Sequence, residues 1–337
     1  MRQNNLALVS GANGHLGNNL VRLLIKKGIP VRATVRDISN KTPFAGLDCE
    51  VVQADITDKQ SFVKALQGVE VFYAVGASFK LWANDPKKEI YDVNLQGTRN
   101  TIEAAAEAGV KRIVYVSSIA ALDYSKLPTK ERFGYNPERR DMYYNSKNDG
   151  EKLALRLATE LGIQLVAVLP SAMIGGEASL PLNVSYGVLK LILKKQIPVD
   201  TKITLNWVDV RDVAEGCYLA ACKGKSGERY ILANEQCMSI TDTTKLAAGL
   251  YPELKLKVPR AMPKFVLMTI AALMELSARI SGKAPVLTRK DIAMFSGLQQ
   301  NFDISKARGE LGFNPMEPRQ ALKHALAYLM EHPGLLE

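Results

Sequence analysis

The sequence predicts an α/β protein built on a doubly wound parallel sheet, with a smaller, mostly helical second domain. Three observations support this prediction. Short apolar runs alternate with amphipathic stretches through the first half, a glycine-rich turn follows the first run, and the alternation changes after Pro170. Apolar strands that alternate with helices are typical of a parallel sheet covered on both faces, because neither side of such strands meets water.

Six runs rich in β-branched residues predict the strands of this sheet. The stretches 18–28 and 95–109 between them are amphipathic and end in glycine, which commonly terminates a helix. The predicted strands span residues 6–10, 31–36, 50–55, 69–75, 112–118 and 164–170.

The second domain is predicted from a change of rhythm after the sixth strand, where glycines and a proline between 175 and 181 interrupt the alternation. A strand and a helix over 203–224 and a strand at 229–234 indicate a return to the sheet. A helical region richer in Pro and Met begins near Glu235. The predicted domains are therefore residues 1–172 plus 204–234, and residues 173–203 plus 235–337, the second packed over the carboxyl ends of the strands.

The composition narrows the function classes. The net charge of +10 comes from scattered lysines and arginines, which argues against a nucleic-acid partner and fits a basic surface that attracts a phosphorylated small molecule. The four cysteines form no C-x-x-C pair, so we expect a reduced, cytoplasmic protein. Cys217 and Cys222 fit a buried helix face. With only three histidines, we expect no zinc site.

We expect no integral membrane span. The longest apolar run, 265–274, has 10 residues, whereas a spanning helix needs about 20. The amino terminus runs straight into the first predicted strand, so we expect no signal peptide. Peripheral contact of this run with a membrane stays open as an alternative.

The stretch "VSGANGHLGNNL" places Gly11, Gly14 and Gly17 between the first strand and the first helix. A tight turn that lets the backbone approach a pyrophosphate needs residues without a Cβ, and the helix amino terminus offers N–H groups to the anion. In this strand–turn–helix context the spacing predicts a dinucleotide-binding loop of the Rossmann type. We interpret His15 inside the loop as a packing residue, not a catalyst.

Arg36 ends the second predicted strand, where an NAD-binding site usually presents an acid to the ribose. A guanidinium there favours the 2′-phosphate of NADP, and Lys41 could add a second positive charge. The alternative is a surface arginine neutralised by Asp37. Asp55, at the end of the third strand, could meet the adenine edge or could cap the next turn.

The catalytic candidates come from a Y-x-x-x-K pattern with three matches, beginning at Tyr143, Tyr186 and Tyr251. Only Tyr143 follows strand-end serines, Ser117 and Ser118, at the edge of the sheet where ligands bind in such folds. Tyr251 precedes a proline, which disfavours a helix, and Tyr186 lies in the predicted second domain.

Lys147 falls one helical turn after Tyr143 on the same face. An ammonium there would lower the tyrosine pKa from about 10, so that the phenol could exchange a proton with a carbonyl or an alcohol. The Ser118 hydroxyl would hold the substrate oxygen in position.

The motifs "GANGHLG", "DVNLQGTRNTIEAA", "YVSSIAA", "YYNSK" and "DISKARGELGFNP" occur in one order along the chain. In these motifs the chain resembles the extended short-chain dehydrogenases/reductases, particularly the dihydroflavonol reductase-like, 3β-hydroxysteroid dehydrogenase-like and hopanoid-associated epimerase-like branch. The resemblance implies a catalytic set of Ser118, Tyr143, Lys147 and Asn94. From the residues alone, Asn94 could equally cap the helix that follows it.

The resemblance also implies NADP(H) as the cofactor and a homodimer as the assembly. Tyr143 and Lys147 would contact the cofactor as well as the substrate. The other implied cofactor-binding residues are Gly11, Asn13, Gly14, His15, Leu16, Gly17, Arg36, Lys41, Asp55, Ile56, Ala74, Val75, Gly76, Ser117, Pro170, Ser171 and Met173.

The chain departs from the family pattern where a substrate would bind. "YAVGAS" lacks the His-Ala-Ala of many relatives, and "LPSAMIGG" lacks the Arg-aromatic-x-Asn pattern of nucleotide-sugar enzymes. Apolar residues in the nearby loops predict a pocket for a hydrophobic carbonyl, although such residues also serve as packing. They are Phe79, Leu81, Trp82, Ile119, Met173 and Tyr186.

The sequence therefore predicts an NADPH-dependent reductase of a ketone or aldehyde, which also works in reverse as an alcohol dehydrogenase. One alternative is a sugar or nucleotide-sugar epimerase or dehydratase that holds NAD tightly. A second alternative is a non-catalytic NADP-sensing regulator, which the presence of Tyr143 disfavours.

Overall fold

A computed structural model describes residues 6–76, 84–176, 182–197, 199–281 and 288–336. Its strands are β1 (Ala7–Val9), β2 (Val31–Val35), β3 (Glu50–Gln53), β4 (Val71–Ala74), β5 (Arg112–Val116), β6 (Gln164–Pro170), β7 (Ala172–Ile174), β8 (Thr204–Leu205), β9 (Trp207–Asp209), β10 (Arg229–Leu232) and β11 (Met238–Ser239).

Seven of these strands form one parallel sheet in the order β10-β6-β5-β4-β1-β2-β3. The order reverses direction at β1, between its neighbours β2 and β4, as in a doubly wound fold. The fold class and the six predicted strands of the first half are confirmed, and the predicted strand at 229–234 joins the same sheet through β6.

Helices cover both faces of the sheet. The α-helices are α1 (His15–Lys26), α2 (Lys59–Ala65), α3 (Val93–Glu107), α4 (Met142–Glu160), α5 (Val184–Leu193), α6 (Val210–Lys223), α7 (Ile240–Leu250), α8 (Lys264–Ser281), α9 (Arg289–Phe295) and α10 (Pro318–Glu331). Strand residues alternate between the two faces. Val9 packs with α1 and α6, whereas its neighbour Leu8 packs with α2, α3 and α4.

A third core lies among the helices after the sheet. Trp207, Tyr186 and Leu322 are fully buried in it, with contributions from α5, α7 and α10. The Trp207 Nε1–H donates to Thr243 Oγ1 at 3.3 Å. A small separate cluster joins Leu267 and Ala271 of α8 to Ile292 of α9. The domain boundaries drawn from the sequence stay a prediction.

One topological prediction is wrong. Residues 204–209 do not return to the large sheet, because β10 already occupies the open edge of β6. Instead β9 pairs in parallel with β7, and β8 pairs with β11 in the antiparallel sense. Only the helix of the predicted strand–helix pair, α6, returns to cover the sheet.

The cysteines of α6 have different environments. Cys217 is fully buried in the core beside α1, as predicted, whereas Cys222 is exposed because it lies on the last turn of the helix. Among the described ranges, no helix has the length and apolarity to cross a membrane.

Replacing Phe72 tests the core on the α3 side of the sheet. The side chain is fully buried beside Phe62, with ring centroids 6.0 Å apart. We expect Phe72→Ala to lower the free energy of unfolding by about 3–5 kcal/mol, since it leaves a cavity. Leu161→Ala, at a residue 43% exposed, is the control and should change that free energy by less than about 0.5 kcal/mol. Urea unfolding measures both, and equal losses would contradict this description of the core.

Candidate active site

The glycine loop joins β1 to α1 in a turn that leaves no room for a side chain at its glycine positions. Gly11 has φ of +60°, which favours glycine, and its carbonyl accepts a hydrogen bond from Gly14 N at 2.9 Å. A Cβ on Gly17 would lie 2.3 Å from the Gly11 carbonyl oxygen. A Cβ on Gly11 would lie 3.0 Å from Gly76 Cα. The three predicted glycines therefore shape one cradle, which also includes Gly76.

The amino terminus of α1 is open to a ligand. Its N-cap is Gly14, which offers no side chain, and its first turn contains no acidic residue. In contrast, Asp58, Asp141 and Asn183 cap the first N–H groups of α2, α4 and α5. Uncapped N–H groups at the positive end of a helix dipole bind anions. This end of α1 and the glycine cradle fit the diphosphate of a dinucleotide, with Asn13 exposed and Leu16 buried beside it.

His15 fastens the loop to the segment that follows the sheet. Asn183 Nδ2 donates to His15 Nδ1 at 2.9 Å, so the opposite ring nitrogen, Nε2, donates to the Gly175 carbonyl at 2.7 Å. Burial lowers the pKa of His15, which keeps the ring neutral. Its ring also packs edge-on against Tyr186, with centroids 5.7 Å apart. The contacts of His15 are therefore those of a packing residue, as the sequence suggested.

Ser10 was missed by the sequence analysis. Its Oγ accepts hydrogen bonds from the backbone N–H groups of Val75 and Gly76, each at 3.0 Å. These bonds hold the end of β4, including the buried Ala74, against the glycine turn. A serine as the last residue before a glycine loop was the available signal, but its partners lie 65 and 66 residues away in sequence.

The residues predicted to select NADP lie at the ends of β2 and β3. Arg36 and Lys41 are both exposed. Within the described ranges Asp37 accepts a hydrogen bond from Ser39 N at 2.8 Å, and Arg36 is not among the groups that act on its carboxylate. The alternative of an Arg36 neutralised by Asp37 is therefore not what the structure shows.

The Asp55 side chain caps the local turn that follows β3, which was one of the two alternatives left open by the sequence. Its Oδ1 accepts hydrogen bonds from the N–H and the hydroxyl of Thr57, at 2.8 and 2.7 Å. The cap of α2 is Asp58 instead. The next residue, Ile56, packs on Gly97 of α3, where a Cβ would approach the isoleucine side chain to 2.7 Å.

The first turn of α4 holds the catalytic candidates. Asp141 caps the helix by accepting from the N–H groups of Tyr143 and Tyr144, at 2.9 and 3.1 Å. Tyr143 is half-buried and lies beside Ser118, whose side chain acts on the pKa of the Tyr143 hydroxyl. Burial raises the pKa of Tyr143 to about 12, while Ser118 acts to lower it and Asp141 acts to raise it. This direction is opposite to the lowering by Lys147 that the sequence predicted, because the loss of water around the phenol outweighs the other effects.

Lys147 lies buried one turn further along α4. Its Nζ donates to the Val116 carbonyl at the end of β5, at 3.3 Å. Burial lowers the pKa of this lysine to about 8, and the charge of Glu151 acts in the opposite direction. The structure therefore brings Ser118, Tyr143 and Lys147 together at the carboxyl edge of the sheet.

Asn94 lies on α3 and faces α4. A helical turn at Lys87–Asp92 runs directly into α3, so Asn94 lies inside the helix and does not cap it. The Asn94 Nδ2 donates to Ser146 Oγ at 3.0 Å, and Ser146 Oγ donates to the Tyr143 carbonyl at 2.8 Å. Ser146, inside the quoted "YYNSK", is a second residue that the sequence analysis missed.

A cavity runs from the ends of β1 and β4, beside the glycine loop, to the facing sides of α3 and α4. Its lining residues include Ser10, Gly76, Asn94, Ser146 and Lys147. Two catalytic candidates, Asn94 and Lys147, therefore border the same space as Gly76 at the end of β4.

Other predicted cofactor-binding residues are buried or form hydrogen bonds within the protein. The Ser117 hydroxyl donates to Glu151, and the buried Ser171 hydroxyl is hydrogen-bonded to Asn206 at 3.1 Å. Pro170 is buried at the end of β6, and the Met173 carbonyl accepts from Asn183 Nδ2 at 2.7 Å.

The predicted pocket residues are only partly brought to the site. Ile119 is buried directly after Ser118. Tyr186 is fully buried in the helical core, where its hydroxyl accepts from Gly175 N at 3.1 Å, and it does not reach Tyr143. Phe79, Leu81 and Trp82 lie outside the described residues. The Tyr144 ring lies beside Tyr143, and Phe295, which the sequence did not indicate, lies beside Tyr144.

The other two Y-x-x-x-K matches do not form comparable pairs. Tyr251 follows the last residue of α7, and Lys255 has a φ of +48° beyond that helix. Tyr186 belongs to the core described above. In the described part of the chain, His, Cys, Asp and Glu side chains form no group of three or more that could hold a metal ion.

Known proteins resemble this chain along nearly its whole length. A sequence model of the NAD dependent epimerase/dehydratase family matches residues 7–233. A protein of Synechocystis sp., provisionally named dihydroflavonol 4-reductase, is 33% identical over 96% of this chain and 94% of its own. Sterol demethylase protein B of Methylococcus capsulatus is 30% identical over 96% of this chain and 98% of its own. The crystal structure of gox2253 is 33% identical, covers 98% of this chain and 99% of its own, and gives a TM-score of 0.80.

Replacing Gly17 tests the cradle. The added Cβ of Gly17→Ala would overlap the Gly11 carbonyl and lie 2.9 Å from Ala12 Cα, so the turn has to open. We expect binding of NADPH or NADH to weaken more than about tenfold, which corresponds to 1.4 kcal/mol. Gly187→Ala, on α5 with nothing within 4 Å of the added Cβ, is the control and should bind normally. Titration of the dinucleotide by fluorescence measures both, and unchanged binding by Gly17→Ala would refute the assignment.

Proposed function

The chain belongs to the NAD-dependent epimerase/dehydratase family, the extended short-chain dehydrogenases/reductases, and from this premise we propose that it is an NADPH-dependent reductase of a ketone or aldehyde on a hydrophobic small molecule. The reverse reaction is the oxidation of the corresponding alcohol. The main support is Tyr143, which lies beside Ser118 and one helical turn before Lys147, a residue that lines the cavity near the glycine loop.

A bound NADPH would supply the hydride to the carbonyl carbon. The protein contributes the position and the proton. Ser118 and Tyr143 offer two hydroxyl groups to the carbonyl oxygen, which orients the carbon and stabilises the negative charge that develops on the oxygen. Tyr143 then donates its proton to that oxygen, and Lys147 stabilises the resulting phenolate by its positive charge.

The electrostatics suit reduction at neutral pH. Because burial raises the pKa of Tyr143 to about 12, the phenol holds its proton and can act as a donor. Because the pKa of Lys147 is about 8, the lysine is mostly protonated at neutral pH and can attract the charge left on Tyr143. Alcohol oxidation needs the phenolate instead, and therefore depends more strongly on the lysine charge.

The choice of NADP over NAD rests on Arg36. The Arg36 side chain is exposed at the end of β2 and forms no ion pair within the described ranges. Lys41 is also exposed, a few residues later. A planar guanidinium can hold a phosphate through two hydrogen bonds.

The hydrophobic substrate class rests on the surroundings of Tyr143. The Tyr143 and Tyr144 rings pack edge to face with centroids 6.2 Å apart, and Phe295 of α9 lies 6.0 Å from Tyr144. Aromatic walls beside a proton donor favour an apolar ring or chain over a sugar. The relatives named for a flavonol and for a sterol are consistent with such a substrate.

A second candidate is an epimerase or dehydratase that acts on a sugar or nucleotide sugar with NAD, as the name of the family suggests. Protein that purifies with bound NAD(H) and does not consume added NADPH would favour it. A regulator that only senses NADP would bind the cofactor without turnover on any substrate.

Replacing Tyr143 tests the proton donor. We expect Tyr143→Phe to lower kcat for reduction of hydrophobic ketones and aldehydes by about 10²- to 10⁴-fold, since the proton for the carbonyl oxygen is lost. NADPH binding should persist. Tyr251→Phe, at another Y-x-x-x-K match, is the control and should keep normal turnover. The measurement is NADPH oxidation against a panel of ketones, aldehydes and nucleotide sugars. Near-normal turnover by Tyr143→Phe would rule out the mechanism.

Replacing Arg36 tests the cofactor preference. We expect Arg36→Ala to weaken NADPH binding by about 10- to 100-fold, the range expected when a charge-assisted hydrogen bond to phosphate is lost. NADH binding should stay nearly the same, because NADH has no 2′-phosphate. Arg99→Ala, at a residue that pairs with Glu103 on α3, is the control. Binding titrations with both cofactors decide the question, and an unchanged preference would count against Arg36.

A further inference from the structure

Glu151 lies one helical turn after Lys147 on α4, and it is fully buried. Side chains three or four positions apart on a helix are neighbours, so the carboxylate stands beside the lysine stem. Nothing in the proposed reaction uses this carboxylate directly. A buried carboxylate nevertheless needs partners, because removing it from water is costly.

Both carboxylate oxygens of Glu151 have such partners. Oε2 accepts from the Ser117 hydroxyl, which follows the end of β5. Oε1 accepts from Arg229 Nε, at the first residue of β10. The glutamate therefore connects α4, which holds Tyr143 and Lys147, to the ends of two strands.

Arg229 is itself fixed in place. One terminal nitrogen, Nη1, donates to the carbonyl groups of Glu131 and Gly134, each at 3.1 Å, and Nη2 donates to the Ala121 carbonyl at 3.4 Å. The guanidinium also stacks over the Tyr135 ring, 4.1 Å from its centroid. These contacts leave Arg229 little freedom, so the glutamate that it holds is also restrained.

The other groups around Lys147 carry no formal charge at neutral pH. The strand β5 contributes the Val116 carbonyl and the Tyr115 hydroxyl, which is hydrogen-bonded to Thr98 of α3. Burial raises the pKa of Tyr115 above its ordinary value, which keeps it neutral. The helix α3 also contributes Asn94, and the turn after Ser118 is apolar.

Three further carboxylates on or near α4 have partners of their own. Asp141 caps the helix and lies near Lys290. Asp149 pairs with Arg139, and the Glu131 carboxylate accepts from Ile231 N at 2.9 Å. Among the residues that the structure describes, Glu151 is the charged group that acts on the pKa of Lys147, and its charge raises that pKa.

We propose that Glu151 is a positioning residue: held by Ser117 and Arg229, it keeps Lys147 protonated beside Tyr143 at neutral pH. An apolar pair of similar volume could fill the space of Glu151 and Arg229 at little or no loss of stability. Such an apolar pair, however, lacks the negative charge with which a carboxylate favours the lysine ammonium. The consequence for turnover rests on the proposed function, whereas the charge state of Lys147 does not.

The direct test is the titration of Lys147, observed by NMR in protein labelled at lysine Cε and assigned with Lys147→Arg. In the wild type we expect a midpoint near the pKa of about 8. In Glu151→Gln we expect the midpoint to fall by about one unit or more, the size of the effect of a neighbouring opposite charge. Asp149→Asn removes a carboxylate from the same helix and should leave the midpoint unchanged. An unchanged midpoint in Glu151→Gln would overturn the proposal.

A double variant separates this role from simple packing. Glu151→Gln alone leaves the Arg229 guanidinium without its carboxylate and should lower Tm. Glu151→Leu with Arg229→Met removes both charges, so we expect Tm to recover while the Lys147 midpoint stays low. Recovery of both quantities would show that the pair only fills space. If Glu151→Gln does not fold, the double variant provides the titration.

Kinetics then connect the charge of Lys147 to turnover. Reduction needs the ammonium, so a lower pKa should move the alkaline limb of the kcat/KM profile to lower pH, by the same amount as the NMR midpoint. The rate well below that limb should be retained. If the wild type reduces no carbonyl, the proposed function fails, and the titration still decides the role of Glu151.

Discussion

The buried Lys147 ammonium is the charge on which the arrangement of the site depends. It stands at the edge of the sheet, held by the Val116 carbonyl on one side and by its place on α4 on the other. Burial disfavours the charged form of a lysine, and here it lowers the pKa of Lys147 to about 8. The end of β5 and the capped start of α4 hold this amine in position, and the charge of Glu151 favours its protonated form.

The cofactor side of the cavity is formed by backbone groups and not by charged side chains. The glycine turn is closed by its own carbonyl and by the hydrogen bonds from Val75 and Gly76 to Ser10. His15 ties the turn to Gly175 beyond the sheet. Because these contacts link three segments that are distant in sequence, the loop is restrained before a ligand arrives, which lowers the entropic cost of binding.

Features set by local sequence were predicted correctly, whereas some features set by contacts between distant segments were not. The fold class and the six strands followed from local pattern, since alternation of apolar strands and helices is visible in any short window. The placement of residues 204–209 failed because pairing depends on which sheet edge is free, and β10, later in the chain, fills that edge. Tyr186 resembled a pocket residue in sequence, yet its ring fills the helical core, because burial depends on neighbours such as Tyr328.

The sequence by itself determined the α/β fold class and the glycine turn, because each depends on residue types at short spacings, and it pointed to Ser118, Tyr143 and Lys147 as catalytic candidates. Only the tertiary structure decided that Asn94 faces Ser146, and that Ser117 and Arg229 hold Glu151 behind the lysine. Arg229 is 78 residues from Glu151 along the chain. No local pattern encodes such a contact, since it exists only once the sheet brings the two strands beside α4.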